Sequence, residues 1–248
     1  MVIHIVIKRK VLIMKRVAIM QPYFMPYIGY FQLIDSCELF VISDSVQYRK
    51  GGWINRNRLL INGKPSMFTL SLKKAPLEYN INQRYFSEKF KIDKEKLIKT
   101  IDINYSKAPH FLEVRELIEE ILSFDNYANV AEFNYNSIKK VCEYIGIKRK
   151  FIKESEIPKD DKLMCEDAVI DITKKLHGHI YINSIGGKSL YSKERFKKSG
   201  IKLYFIKTND IKYTQFKNEF QQNLSIIDVL MFNSKDEIMK LIKDYQLV

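Results

Sequence analysis

Short apolar runs alternate with helical patterns near the start of the chain, and this alternation constrains the fold more than any other feature. Residues 16–20 (RVAIM) read as a buried strand that Gln21-Pro22 ends. Residues 29–37 carry apolar side chains at helical spacing, and residues 38–43 form a second buried strand. Strand, turn, helix and strand at this spacing predict the opening of a parallel α/β sheet.

The pattern changes after the second strand. Asn62-Gly63 stands between the apolar runs 58–61 and 67–72 and predicts a β-hairpin. Further elements are predicted downstream: helices at 93–105, 109–123, 129–145, 163–176, 192–198 and from Ser234, strands at 149–153, 179–183 and 201–207, and a buried segment at 225–232. We expect an α/β fold with a parallel Rossmann-like sheet, a ligand crevice at the strand ends, an inserted β-hairpin and a helical lobe.

Length and cysteine usage limit the domain organisation. The 248 residues fit one domain over 14–248, with lobes 14–90 and 91–248. Residues 1–13 are predicted to be an N-terminal extension, because Met14 opens a more conventional start. The 3 cysteines are scattered without a C-x-x-C pair, which predicts a reducing cytoplasm and no metal site. No stretch approaches the length of a membrane span.

Charge points to an anionic partner. Lys and Arg number 42 against 29 Asp and Glu, which gives a net charge of +13. No acidic residue lies between Ser45 and Leu77, whereas seven cations do: Arg49, Lys50, Arg56, Arg58, Lys64, Lys73 and Lys74. A nucleic acid fits the charge, but the sequence contains no recognition motif for one, so we do not expect that partner.

The loop after the first strand is one candidate site. It contains Gln21, Tyr23 and Tyr27, and it points to the crevice at the carboxyl ends of parallel strands. Its shape is similar to the H-x-G-H loop of nucleotidyl transferases, with tyrosines at both histidine positions, so a charge for phosphate is missing. The alternative is a rigid aromatic turn that fills the core.

The segment after the second strand is another candidate. Its cations can bind phosphate, Trp53 or Tyr48 can stack on a flat ring, and polar side chains accompany them: Asp44, Gln47, Asn55, Arg56 and Asn57. Asn55 and Asn57 are unusual in a segment that forms a strand. The alternative is a solvated basic face in which Trp53 anchors the packing.

Three further features carry polar side chains. His110 stands at a helix start, where a structural role competes with a catalytic one. Gly186, Gly187, Lys188 and Tyr191 follow a strand, and the loop amides with Lys188 can bind an anion. The loop lacks the P-loop spacing, because residue 182 is Ile. Asp228, inside an apolar run, is either a network anchor or a site group.

Five motifs in order resemble the WbqC-like family from about Met14 to near the C-terminus: QPYFMPYIGYFQLI (21–34), SDSVQYRKGGWINRNR (43–58), YSKAPHF (105–111), YINSIGGKSLY (181–191) and LSIIDVLMFN (224–233). Met25 departs from the aromatic residue expected there. The resemblance implies a role in bacterial O-antigen and polysaccharide biosynthesis, as an acyl or aminoacyl (glycyl) transferase that acts on an amino sugar.

That implied reaction agrees with the residues. A nucleotide-linked amino sugar carries a diphosphate for the cations and a base for Trp53 or Tyr48. N-acylation needs a base, for which Asp44 and His110 are the candidates, and oxyanion donors, for which Tyr27, Asn55 and Asn57 are the candidates. The cofactor is open: an activated acyl donor, or ATP with Mg²⁺ in a ligase. A non-catalytic nucleotide-sugar or nucleic-acid binding protein is the remaining alternative.

Overall fold

The strands form a mostly parallel central sheet and a separate hairpin. A computed structural model describes residues 14–124, 129–158, 160, 162–217 and 219–248, so the predicted extension at 1–13 lies outside the described residues. The strands are β1 Arg16–Met20, β2 Leu39–Ile42, β3 Arg56–Ile61, β4 Lys64–Thr69, β5 Lys150–Lys153, β6 Ile180–Ser184, β7 Lys202–Thr208 and β8 Tyr245–Leu247. The central sheet has the order β5-β2-β1-β6-β7-β8, in which β8 alone is antiparallel. The predicted α/β class is confirmed.

Helices cover the sheet and build the helical region. They are α1 Ile28–Asp35, α2 Phe90–Tyr105, α3 Phe111–Ser123, α4 Val130–Ile145, α5 Cys165–Lys175, α6 Lys193–Lys198, α7 Ile226–Phe232 and α8 Lys235–Lys243. The Asn129 side chain accepts from two amides of the first turn of α4, and Gly146 ends that helix with a φ of 90°. The predicted buried segment 225–232 consists mostly of the helix α7. The division of the chain into two lobes near residue 90 stays a prediction.

The strand order of the central sheet indicates where a ligand crevice is expected. The chain runs from β1 to β2 and β5 on one side, and β6 and β7 lie on the other side of β1. The order in which the chain adds strands to the sheet reverses between β1 and β6. The two strands themselves are parallel, with Val17 opposite Tyr181. In open parallel sheets, ligands bind outside the carboxyl ends of the strands at such a reversal.

The hairpin is tighter than the sequence pattern predicts. Its strands β3 and β4 extend to the two-residue turn Asn62-Gly63, where the pattern left a gap of five residues, 62–66. The φ angles of 50° and 74° at these residues are those that a type I′ turn needs. Pro65 is compatible with β4, because a strand in a two-stranded sheet has a free edge.

Side-chain amides fix the loop between β1 and α1 (residues 22–26, the first loop). Asn57 Nδ2 donates to the carbonyl oxygens of Phe24 at 3.0 Å and Met25 at 2.6 Å. Asn134 Nδ2 donates to Pro22 O at 2.8 Å, and Ser225 Oγ donates to Met25 O at 2.8 Å. Buried carbonyl groups need such donors, so residues from β3, α4 and the start of α7 set the position of the first loop.

The buried Asp228 is a network anchor. Its carboxylate accepts from Tyr105 Oη at 2.8 Å, Tyr213 Oη at 2.6 Å and Gln215 Nε2 at 2.7 Å, and its side chain is fully buried. Burial raises the pKa of Asp228, although these three hydrogen bonds oppose the shift. Tyr105 Oη also accepts from Leu60 N at 2.8 Å, which ties α7 to the hairpin through α2.

We expect Tyr105→Phe to lower the free energy of unfolding by about 2 kcal/mol, because it removes a donor to Asp228 and leaves Leu60 N–H without its acceptor. Urea denaturation followed by circular dichroism measures the change. Tyr85→Phe, at an exposed tyrosine, is the control and should stay within about 0.5 kcal/mol of the parent. Equal effects of the two substitutions would contradict the structural role of the network.

Asn57→Ala should also cost about 2 kcal/mol, since the buried carbonyl group of Phe24 loses its side-chain donor and that of Met25 keeps only Ser225 Oγ. The matched substitution is Asn209→Ala, whose exposed amide donates to Asp244 and which should cost less than about 1 kcal/mol. Thermal unfolding of both variants tests this. A loss for Asn57→Ala no larger than that of its control would show that the first loop does not depend on this amide.

Candidate functional site

A cavity of about 460 Å³ opens at the carboxyl ends of β1, β2, β5 and β6, and we call it the strand-end pocket. The ends of these strands and the segments that follow them supply its polar residues and two glycines: Gln21, Tyr23, Ser43, Glu154, Asn183, Ser184, Gly186, Gly187 and Tyr191. Ile19, Val169 and Ile172 add an apolar wall. The cavity therefore lies at the reversal of strand order, where the fold places a ligand.

Glu154 is the acidic residue in the wall of this pocket. It follows β5 directly, and its side chain is 5% exposed. Ser43 Oγ donates to Glu154 Oε2, and Ser45 Oγ donates to Oε1 at 3.0 Å. Hydrogen bonds from two hydroxyl groups fix the direction of this carboxylate.

Asp44 stabilises the turn that carries Glu154. Its carboxylate is almost fully buried and accepts from Ser155 N at 2.9 Å and Ser155 Oγ at 2.6 Å. Ser155 is the neighbour of Glu154, so Asp44 holds the backbone that carries the glutamate. The predicted base Asp44 thus lies next to the strand-end pocket rather than in its wall.

The loop after β6 closes one side of the strand-end pocket. Residues 185–190 form a 3₁₀ turn, and a Cβ on Gly187 would lie 3.1 Å from Asn183 Nδ2 and 3.4 Å from the Tyr191 ring. Asn183 Nδ2 donates to Tyr181 Oη at 3.1 Å. Lys188 is exposed, so its ammonium group lies on the outside of this turn.

A second cavity, of about 300 Å³, lies beside the first loop, and we call it the aromatic pocket. It is lined by Tyr23, Pro26, Tyr27, Trp53, Asn57, Arg58 and Asn223. The Trp53 side chain is 37% exposed, and two guanidinium groups lie near its ring, Arg58 at 5.5 Å and Arg56 at 6.0 Å from the centroid. Such a pocket can stack a flat ring and attract an anion.

Tyr23 belongs to the walls of both pockets, and Tyr27 lies beside it in the aromatic pocket. Burial raises the pKa of both phenols, so both are neutral hydrogen-bond donors near pH 7. Tyr27 immediately precedes α1, and its ring covers Gly29 so closely that a Cβ there would lie 2.4 Å from Tyr27 Cε2. The glycine in this motif therefore makes room for the tyrosine.

Several of the predicted site residues form hydrogen bonds within the protein. Tyr48 Oη donates to Asn55 Oδ1 at 3.0 Å, and Asn55 Nδ2 donates to Leu70 O at 2.8 Å. Gln47 Nε2 donates to Leu77 O at 3.0 Å, and Arg56 donates to the carbonyl oxygens of Gly51 and Gly52. The Arg84 guanidinium lies 4.6 Å from the centre of the Tyr48 ring. These contacts fix the segment that presents Trp53.

His110 belongs to a different part of the molecule. Its Nδ1 lies 2.7 Å from Glu113 Oε1, and its backbone N–H donates to Met231 O at 3.2 Å. These partners belong to α3 and α7, and His110 is not among the residues that line the two pockets. A catalytic role for His110 stays a prediction.

Sequence reasoning missed Glu154, Asn183, Arg58 and Asn223 as individual site residues. Glu154 could have been found, because it follows a predicted strand just as Asp44 does. Asn183 and Arg58 lie within the motifs of the candidate segments. Asn223 carries no pattern that distinguishes it, although its φ of 56° marks an unusual turn in the structure.

In the ranges that the structure describes, no helix is long and apolar enough to cross a bilayer. Within the same ranges, no three His, Cys, Asp or Glu side chains converge as metal ligands would.

Comparison with known proteins identifies the family. The model of the WbqC-like protein family matches residues 21–240. An uncharacterized protein of Mycobacterium tuberculosis, Rv1507c, is 25% identical over 226 residues, which cover 89% of this chain and 94% of that protein. No solved structure matches. The aromatic pocket lies inside the matched region, as does the strand-end pocket apart from Ile19 and Met20, and the chain belongs to the WbqC-like protein family.

Proposed function

We propose that this protein transfers an acyl or aminoacyl group to the amino group of a nucleotide-linked amino sugar. The observation that carries the proposal is the pair of pockets that meet at Tyr23. A transferase must bring the reacting atoms of two substrates together. A sugar nucleotide that occupied both pockets across Tyr23 would present its amine to an acyl group in the strand-end pocket.

The aromatic pocket suits the nucleotide. Trp53 offers a partly exposed ring for the base, and Arg58 supplies positive charge beside it. Exposed cations of the same segment, among them Arg49 and Lys50, extend that positive field. A diphosphate is the anionic part of the substrate that this field would attract.

The strand-end pocket suits the amine and the acyl group. Glu154 places a carboxylate in its wall, which attracts an ammonium group and can accept its proton. The free amine then attacks the acyl carbon, a C–N bond forms, and the bond from carbonyl carbon to leaving group breaks. Tyr23, with Tyr27 beside it, is the donor that we assign to the developing oxyanion. Asp44 acts as a positioning residue through Ser155.

The setting that we propose is bacterial surface polysaccharide (O-antigen) biosynthesis in the cytoplasm. The resemblance to the family suggests that pathway, and the three cysteines are free thiols, as in a reducing compartment. The acyl donor is either an activated thioester or an acid that ATP and Mg²⁺ activate in place. Tyr27 and Tyr30, at the two histidine positions of the H-x-G-H motif, lack the charge of a histidine pair, which favours the activated donor.

The test is a mass-spectrometric assay of the purified protein. UDP- and dTDP-linked amino sugars are incubated with acetyl-CoA, or with glycine, ATP and Mg²⁺, and the sugar nucleotide is examined for the mass of an added acyl group. We expect Glu154→Gln to lower the rate at least 100-fold, the typical contribution of a general base. Glu156→Gln removes the same charge from an exposed side chain of the same turn and should leave the rate within about threefold.

Two results would count against the proposal. Sugar nucleotides that bind but gain no mass with any donor would favour a non-catalytic binding protein. An equal loss of rate in Glu154→Gln and Glu156→Gln would show that the strand-end pocket does not supply the base.

A further inference from the structure

The Arg58 guanidinium group is held at the aromatic pocket, where it can donate hydrogen bonds to a ligand. Its Nη2 donates to Asn223 O at 2.9 Å, which orients the guanidinium group at the aromatic pocket. Within the described residues this is the hydrogen bond that the Arg58 side chain donates, and its buried Nε has no partner. A guanidinium group carries five N–H donors, so donors remain for a ligand in the pocket that brings an acceptor.

The surroundings of Arg58 select the charge of that ligand. Trp53, Tyr23, Tyr27, Asn57 and Asn223 complete the wall of the aromatic pocket, and none of these residues is acidic. An oxyanion therefore finds a positive guanidinium group without competition from a carboxylate in the wall. Hydrogen bonds between arginine and an oxyanion are charge-assisted and stronger than neutral ones.

The aromatic pocket is held in shape by backbone contacts between its three segments. Phe24 N donates to Trp53 O at 3.1 Å, Ser225 N donates to Arg58 O at 2.9 Å, and Ile226 N donates to Pro26 O at 2.9 Å. The first loop, β3 and the start of α7 are thus joined pairwise around the cavity. A preformed site binds without the cost of ordering its walls.

We propose that the aromatic pocket is an oxyanion-binding site in which the Arg58 guanidinium group donates to a phosphate or carboxylate attached to a flat ring that stacks on Trp53. The choice of a nucleotide as the first probe rests on the proposed function, whereas the arginine–oxyanion contact does not. The same contact is available to the phosphate of a nucleotide and to the carboxylate of an aromatic acid.

Trp53 reports on this pocket directly, because it is the 1 tryptophan of the chain. Its fluorescence is titrated with UMP, uridine, benzoate and inorganic phosphate at low salt. UMP or benzoate, which combine a ring with an oxyanion, should change the emission at concentrations at least tenfold lower than uridine. A stronger response to UMP assigns the site to phosphate, and a stronger response to benzoate assigns it to carboxylate.

Two substitutions at position 58 separate charge from hydrogen-bond geometry. Arg58→Gln removes both, and Arg58→Lys keeps the charge without the planar set of guanidinium donors; each should weaken binding of the preferred anion at least tenfold. Lys99→Gln removes an equal charge from an exposed position of α2, outside the segment that lines the pocket, and should change the dissociation constant less than threefold. Circular dichroism melts check that the variants fold.

Equal responses to UMP and uridine would overturn the proposal, as would parent-like binding by Arg58→Lys or the absence of any response. These outcomes differ from a failure of the proposed function. Anion binding that depends on Arg58, without acyl transfer, would contradict the proposed transferase function and support the oxyanion site. Acyl transfer that is unaffected by both substitutions would contradict the oxyanion site and support the transferase function.

Discussion

The hydrogen bonds that side chains give to the carbonyl groups of the first loop are the interaction on which the two pockets depend. Asn57, Asn134 and Ser225 reach these carbonyl groups from three elements that are distant in sequence. The loop also contains a buried Met25 with a φ of 44°, a conformation that non-glycine residues rarely adopt. The surrounding donors are what maintain this backbone, and Tyr23 and Tyr27 keep their places through it.

The charge of the protein surface differs in sign from that of the side chain in the strand-end pocket. The net charge of +13 comes largely from exposed lysines and arginines, which attract anions from a distance. The strand-end pocket, by contrast, presents the carboxylate of Glu154, with Asp44 behind it. A substrate that carries a diphosphate at one end and an ammonium group at the other matches both regions at once, which is the electrostatic reason for our choice of an amino sugar nucleotide.

Local patterns in the sequence predict the individual elements well. Asn62-Gly63 specifies the hairpin, and Gly146 ends α4, because each needs a positive φ that few other residues tolerate. Long-range partners are not encoded locally, so Glu154 beside Ser43 and Asn223 beside Arg58 had to be seen in the structure. Strand β8 was missed because three residues (YQL) carry no period. Asn57 shows a further limit: a polar residue in a strand predicts a hydrogen bond without saying whether backbone or ligand receives it.

The parallel pairing of β1 with β6 has a consequence for how the protein is made. Residues 16–18 find their partners at 180–182, and the first loop receives a donor from Ser225, close to the end of the chain. Contacts that are so far apart in sequence form late in folding, and during synthesis they cannot form before the ribosome has released those residues. A nascent chain therefore cannot complete the first loop before Ser225 has left the ribosome.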